Sequence, residues 1–381
     1  MSLAAVATLP PAHRSPRPAS DDPTAVNRLA LRRRCEAAKR AYTTRHVPLA
    51  RVAALAEGLG HEPRPGDLVL ARVQRIGKHA AIELAHGRRS TLFVGDEVIV
   101  AYAARYAPDQ FLAEVPGDLG PCHLAAGGGV AALVTSRHGA VGAPTDLTPI
   151  GLLLDSDGER LNLARFGLQA GSAHAPRPLT ILSLGTSMNA GKTTAAAYLV
   201  KGLARAGLRV GAAKLTGTGS GNDPGLLADA GAHRVLDFTD AGFASTFGAT
   251  LDELHRILDT VQSAMCGEAV DVLVAEVADG LLQRETAMLL RSTHVARRVD
   301  GCLFSAGEAM GALSGLRWLH EQALPVLAVA GTLTRSPLAR AEVEQGCEQR
   351  TLGLDELANP VVARELWRRA ARASGPAGEA A

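Results

Sequence analysis

The stretch GTSMNAGKTT, Gly185–Thr194, decides how this 381-residue chain is read. It follows an apolar run with strand character, LTILSLG (179–185), and opens a run with helical spacing, TTAAAYLVKGLARAG (193–207). A glycine-rich turn between a strand and a helix is the setting of a phosphate-binding loop, because backbone N–H groups and the positive helix start converge on an anion. Gly185, Thr186, Asn189, Ala190, Gly191, Lys192, Thr193 and Thr194 are therefore expected to cradle the phosphates of a nucleotide. Lys192 would reach the β- and γ-phosphates, and the Thr193 hydroxyl would ligate Mg²⁺. Five residues, rather than four, separate Gly185 from Gly191, so Thr186 stands where the first glycine of such a loop is usual.

Downstream, strands and helices alternate. RVGAAKL reads as a strand, Leu251–Met265 as a helix, VDVLVAEV (270–277) as a strand and Arg284–Arg291 as a helix. DGCLFSA (300–306), a helix to Glu321 and PVLAVAG (325–331) continue the pattern. Such alternation implies an α/β fold, a doubly wound and mostly parallel sheet spanning 178–370. Mg²⁺ needs a second protein anchor beside a phosphate loop, and an acid ending a buried strand supplies it. Glu276 is the candidate, with Asp279 as a possible turn residue instead. Lys214 ends the second strand, at the sheet edge where open α/β folds bind ligands. Asp223 is a further metal candidate and Asp229 a weaker one.

Upstream the texture differs. Residues 1–24 are rich in Pro, Ala and Ser and read as a disordered tail; 25–64 read as a basic helical segment. Eight basic residues fall between Arg28 and Arg51, against the single acid Glu36. A solvated helix face explains them, with a nucleic-acid or phosphate surface as the other reading. From 65 to 168, short β-rich runs separated by Gly, Pro and charged turns imply a small β-rich, barrel-like domain preceding the parallel sheet. A linker at 170–178 separates the two textures.

Composition narrows the function classes. Forty Lys+Arg against 38 Asp+Glu leave a formal charge of +2, so no global field calls for nucleic acid or membrane. Thirteen aromatic residues are few for base-stacking surfaces. Nucleic acid is thus not the expected partner, nor is a membrane, since no run of 18 apolar residues occurs. Five scattered cysteines without a CxxC pair, and a start without a continuous apolar core, fit a cytoplasmic location. The twelve histidines form no HExxH or other ligand-spaced group. Cys122-His123 reads as a packed loop before it reads as a nucleophile pair, and His138 as a surface residue.

The C-terminal half resembles the dethiobiotin synthetase and cobyrinate amide synthase group of P-loop proteins over about 179–345. Gly185, Thr186, Gly191, Lys192 and Thr193 match that group's GTxxxxGKT loop. Lys214 matches its substrate-contacting lysine, and Glu276 its strand-ending glutamate. The turn Val277-Ala278-Asp279-Gly280 departs from the group's EGAGG. The resemblance implies ATP and Mg²⁺ as cofactors and a homodimer. It also implies activation of a small metabolite, a carboxylate by preference, by a kinase- or ligase-type reaction using Lys192, Lys214 and Glu276. Thr332 and Arg335 lie where that group holds the nucleotide, and Gln283, Arg284, Glu285 and Ser336 are lesser candidates. The alternative function is a nucleotide-hydrolysing switch or chaperone that acts on a protein partner.

Overall fold

The computed structural model describes residues 23–171 and 176–373. The expected tail up to residue 22, the middle of the 170–178 linker and the chain from 374 lie outside the described residues.

The second half is built on six parallel strands. Their order across the sheet is Arg234–Asp237, Val210–Lys214, Val272–Glu276, Leu179–Gly185, Gly301–Ser305 and Val326–Ala330. Strand alternation divides the apolar side chains between two layers. Leu182 and Leu184 face a layer closed by helices Leu251–Gly267 and Ala309–Glu321, through Leu254, Ile257, Ala312 and Leu319. Ile181 faces the other, closed by helices Lys192–Arg205 and Pro360–Ala373 through Leu199, Leu203 and Leu366. Coverage on both faces is what lets a parallel sheet consist of near-continuous apolar runs. Strand Leu179–Gly185 lies between strands that come later in the chain on both sides, so its carboxyl end opens at the point where the connections diverge to either side of the sheet. Ligands of open α/β sheets bind at such a switch point. Edge strand Arg234–Asp237 was not anticipated: four residues with one strand neighbour carry too little apolar pattern to announce themselves.

In the first half, five strands close a ring of pairings. Leu68–Arg75 lies between Glu97–Tyr102 and Thr145–Leu154; Cys122–Ala126 joins Thr145–Leu154 to Val130–Arg137; and Val130–Arg137 returns to Glu97–Tyr102. The last pairing is parallel and the other four antiparallel.

The expected helical segment over 25–64 is corrected. An α-helix spans only Pro23–Ala37; beyond it lie two single 3-10 turns, Tyr42–Thr44 and Leu49–Arg51, while Lys39–Arg40 pairs with Glu97–Tyr102 and Ala54–Ala56 with Thr145–Leu154. The β-branched and aromatic run Tyr42-Thr43-Thr44 is buried, and Pro48, which caps the turn at Leu49–Arg51, bars a continuous α-helix through the segment. The basic residues there are also largely committed internally. Arg34 pairs with Glu97, Lys39 with Asp96, and Arg45 with Asp237 and Asp240. Arg32 and Arg40 donate to backbone carbonyls. Neither a continuous solvated helix face nor an open anion-binding surface describes them.

The halves meet through polar and backbone contacts. Tyr42 donates its hydroxyl to Asp237 at 2.6 Å, and Asp237 is 1% exposed. Glu83 accepts from the backbone N–H of Gly221 at 2.6 Å and from Asn222 Nδ2 at 3.1 Å. Gly128 sits directly on Gly219, where a Cβ would overlap the carbonyl oxygen of Gly219.

Candidate functional site

The loop after strand Leu179–Gly185 is held on both flanks. Leu281 N donates to Gly185 O at 3.2 Å, and Thr332 N donates to Ala190 O at 3.0 Å. Gly280 presses so close that a Cβ there would overlap the Thr186 carbonyl. Gly191 adopts a left-handed φ of +96° and caps helix Lys192–Arg205 with no side chain. The first-turn N–H groups of that helix have no carbonyl four residues back within it, so they are free to meet an anion. Lys192 is 5% exposed and donates to Ser187 O at 2.8 Å, back across the loop. Burial lowers its pKa, opposed by the carboxylates of Glu276 and Asp279. A phosphate would replace that single carbonyl with a full charge.

Behind the loop, parallel register places Lys214 beside Glu276, and Glu276 beside Ser183. Lys214 forms an ion pair with Asp223 and lies 3.9 Å from Glu276 Oε1. Burial alone would lower its pKa, but Glu276 and Asp223 together outweigh that and hold the ammonium firmly charged. Glu276 is 3% exposed, and its Oε2 is buried without a hydrogen-bond partner. An unpaired carboxylate oxygen of this kind is costly unless a cation or donor reaches it. The carboxyl of Asp279 lines the same cleft, its pKa raised by burial and by Glu276 against the pull of Lys192, Lys214 and Arg105. The Asp279 turn is tied down by Thr286 Oγ1, which donates to Ala278 O at 2.8 Å.

The cleft holds about 540 Å³, and the β-rich half supplies one wall: Arg105, Tyr106 and Gln110. Burial lowers the Arg105 pKa to about 10, with Asp279 pulling it back up. Asn189 Nδ2 bonds Asp109 Oδ2, joining the loop tip to that wall. A neighbouring groove of about 530 Å³ runs between the turn at Gly307–Met310 and residues 332–342. Thr332 and Arg335 line both spaces. Gly191, Lys192, Thr193, Thr194, Lys214, Asp223 and Glu276 all border the cleft. Asp223 does so with its carboxylate held by Lys214, which leaves Glu276 Oε2 as the less committed carboxylate oxygen.

Other candidates lie elsewhere or serve the fold. Asp229 is exposed at the end of helix Asn222–Asp229. Gln283 caps helix Arg284–Leu290, and Glu285, 2% exposed, accepts from Gly248 N at 2.9 Å. Ser336 caps the helix that begins at Pro337. The Cys122 thiol is buried in a strand and pushed up to about 12 by that burial, so it is no nucleophile at neutral pH. His138 is exposed. The wall residues Arg105, Tyr106 and Gln110 were missed by sequence reasoning. RYAPDQ looks like an ordinary turn between strands, and only the folded chain brings it to the loop.

No protein-family model matches the chain, and no curated protein sequence matches it. Among solved structures it is similar to the signal recognition particle receptor FtsY from Elizabethkingia anophelis, at 19% identity and TM-score 0.32, covering 54% of this chain and 69% of that one. It is similar to a ParA family ATPase from Chlorobium tepidum TLS, at 11% identity and TM-score 0.33, covering 52% and 99%. It is also similar to a DUF1611 family protein from Anabaena variabilis ATCC 29413, at 14% identity and TM-score 0.38, covering 57% and 66%.

Proposed function

We propose that the cleft binds a nucleoside triphosphate with Mg²⁺ and passes the terminal phosphoryl group to a small acid, in a kinase- or ligase-type reaction. The observation that carries this is the convergence of three features at the end of strand Leu179–Gly185. They are the glycine loop with its open helix start, the buried Lys192 with the half-buried Lys214, and the partnerless oxygen of Glu276. The donor set suits Mg²⁺, which takes one or two protein oxygens and completes its shell with phosphates and water. Thr193 and Glu276 would hold the ion; among the described residues no group of three or more His, Cys, Asp or Glu could hold one unaided. When bound, Mg²⁺ supplies neutralisation of charge on the phosphate oxygens.

The protein's own part is positioning and electrostatics. Loop N–H groups and Lys192 fix the phosphates, and Lys214, kept charged by Asp223 and Glu276, adds a second fixed cation. Asp279, whose carboxyl burial and Glu276 make harder to ionise, lines the same cleft and adds little repulsion against an anionic acceptor. The groove bordered by Thr332 and Arg335 has room for the base and ribose. The likeness to the dethiobiotin synthetase group, which rests on sequence motifs, supports ATP as the donor and a carboxylate as the acceptor.

The test is hydrolysis of ATP and GTP by the purified chain across a panel of small carboxylic and amino acids. Turnover that rises only when one acid is added supports phosphoryl transfer to it. Steady hydrolysis indifferent to every acid points instead to a switch acting on a protein partner.

A further inference from the structure

Arg105 enters the cleft from the β-rich half and is 7% exposed. Its hydrogen-bonding partners are all neutral. Nη1 bonds the Ala125 carbonyl and lies 3.1 Å from His79 Nε2, while Nη2 donates to Gln110 Oε1 at 3.0 Å. Nε is buried with no partner. A buried guanidinium whose hydrogen bonds all go to neutral groups has only the Asp279 carboxyl in the same cleft as counter-charge, and part of its desolvation cost stays unmet until a further anion arrives. The neutral partners instead fix the plane of the guanidinium and leave one Nη2 N–H uncommitted, and a fixed charged donor of this kind is suited to a carboxylate oxygen. The phosphate side of the cleft already has Lys192, Lys214 and the helix start, so an added cation on the other half's wall serves a second anion.

We propose that Arg105, oriented by Gln110 and His79, binds the carboxylate of the acceptor acid, making the β-rich half the acceptor-recognition module. This rests on the phosphoryl-transfer reading above. The alternative source of the same oxyanion chemistry is the terminal phosphate of the nucleotide.

The experiment compares wild type with Arg105→Gln and Arg105→Lys. Thermal shifts are recorded without nucleotide for acetate, glycine, succinate and citrate, and for acetamide and succinamide as uncharged counterparts. Affinity for a fluorescent ATP analogue is measured separately. The expected result is that at least one carboxylate stabilises wild type and its amide does not. Arg105→Gln then weakens that carboxylate about ten- to a hundredfold, Arg105→Lys weakens it less, and all three proteins bind the ATP analogue alike. Should Arg105→Gln fail to fold, Gln110→Ala replaces it; as the loss of a positioning residue, it is expected to raise KM for the acid with kcat little changed. Equal carboxylate response in wild type and Arg105→Gln overturns the proposal, as does no response by wild type to any of the carboxylates. Loss of ATP-analogue affinity in Arg105→Gln also overturns it and assigns the residue to the terminal phosphate. Failure of wild type to bind the ATP analogue, with the carboxylate response intact, would instead refute the nucleotide reading and leave the carboxylate subsite standing.

Discussion

Glu83 and Gly221 face each other across the junction of the two halves, the carboxylate accepting the backbone N–H at 2.6 Å. Glu83 is 8% exposed and also accepts from Ser220 Oγ and Asn222 Nδ2, so one side chain of the first half sets the start of the helix that carries Asp223. Asp223 in turn pairs with Lys214. Glu83→Ala leaves those donors without a partner and is expected to cost about 1–3 kcal/mol. Urea unfolding reads the stability loss, and ATP-analogue titration reads a weaker site. An unchanged site would show that the junction has no part in holding Lys214.

Lys192→Ala removes a buried cation whose neutral form burial already favours. Nucleotide turnover is expected to fall about a hundred- to a thousandfold, while the melting temperature does not fall. Calorimetry alongside a phosphate-release assay separates the two. A fully active variant would remove the phosphate-loop argument.

Gly280→Ala tests the loop's shape without touching a charge. The new methyl meets the Thr186 carbonyl, so the loop must move to admit it. Displacement of a positioning element by about 1 Å can cost about a hundredfold in rate. The expected outcome is a folded protein with a normal circular dichroism spectrum and a phosphate-release rate reduced to that extent.

His79 supplies a pH dependence. Burial, with help from the neighbouring Arg105, lowers its pKa from 6.5 to about 4. Because the folded state disfavours the proton, stability is complete above about pH 6.5 and is lost as the pH falls toward about 4. Protonation also sets an imidazolium against the Arg105 guanidinium, whose Nη1 lies 3.1 Å from Nε2. His79→Gln, which cannot charge, is expected to remove up to about 3 kcal/mol of that acid loss. Chemical unfolding at a series of pH values, wild type against variant, measures the difference.

How far the sequence carried can be judged residue by residue. Strand Leu179–Gly185 and the helix start at Lys192 were legible because apolar patterning and GKT are local signals. Glu276 was legible because an acid ending a buried run is expensive and so conspicuous. Arg105 was not, since its role depends on the distant partners His79 and Ala125 and on its meeting with Asp279. The basic residues between Arg28 and Arg51 misled for the same reason: their carboxylate and carbonyl partners lie in strands and loops that no local pattern links to them.

The seat of Gly128 on Gly219 has a consequence for inheritance. Neither residue has a polar side chain to offer, yet any side chain at position 128 would collide with the other half's backbone. A recombination event that joined this phosphate-loop half to an unrelated upstream partner would have to recreate that bare contact. The two halves are therefore expected to travel through descent together, held by this fit between main chains as well as by the side chains of Tyr42 and Glu83.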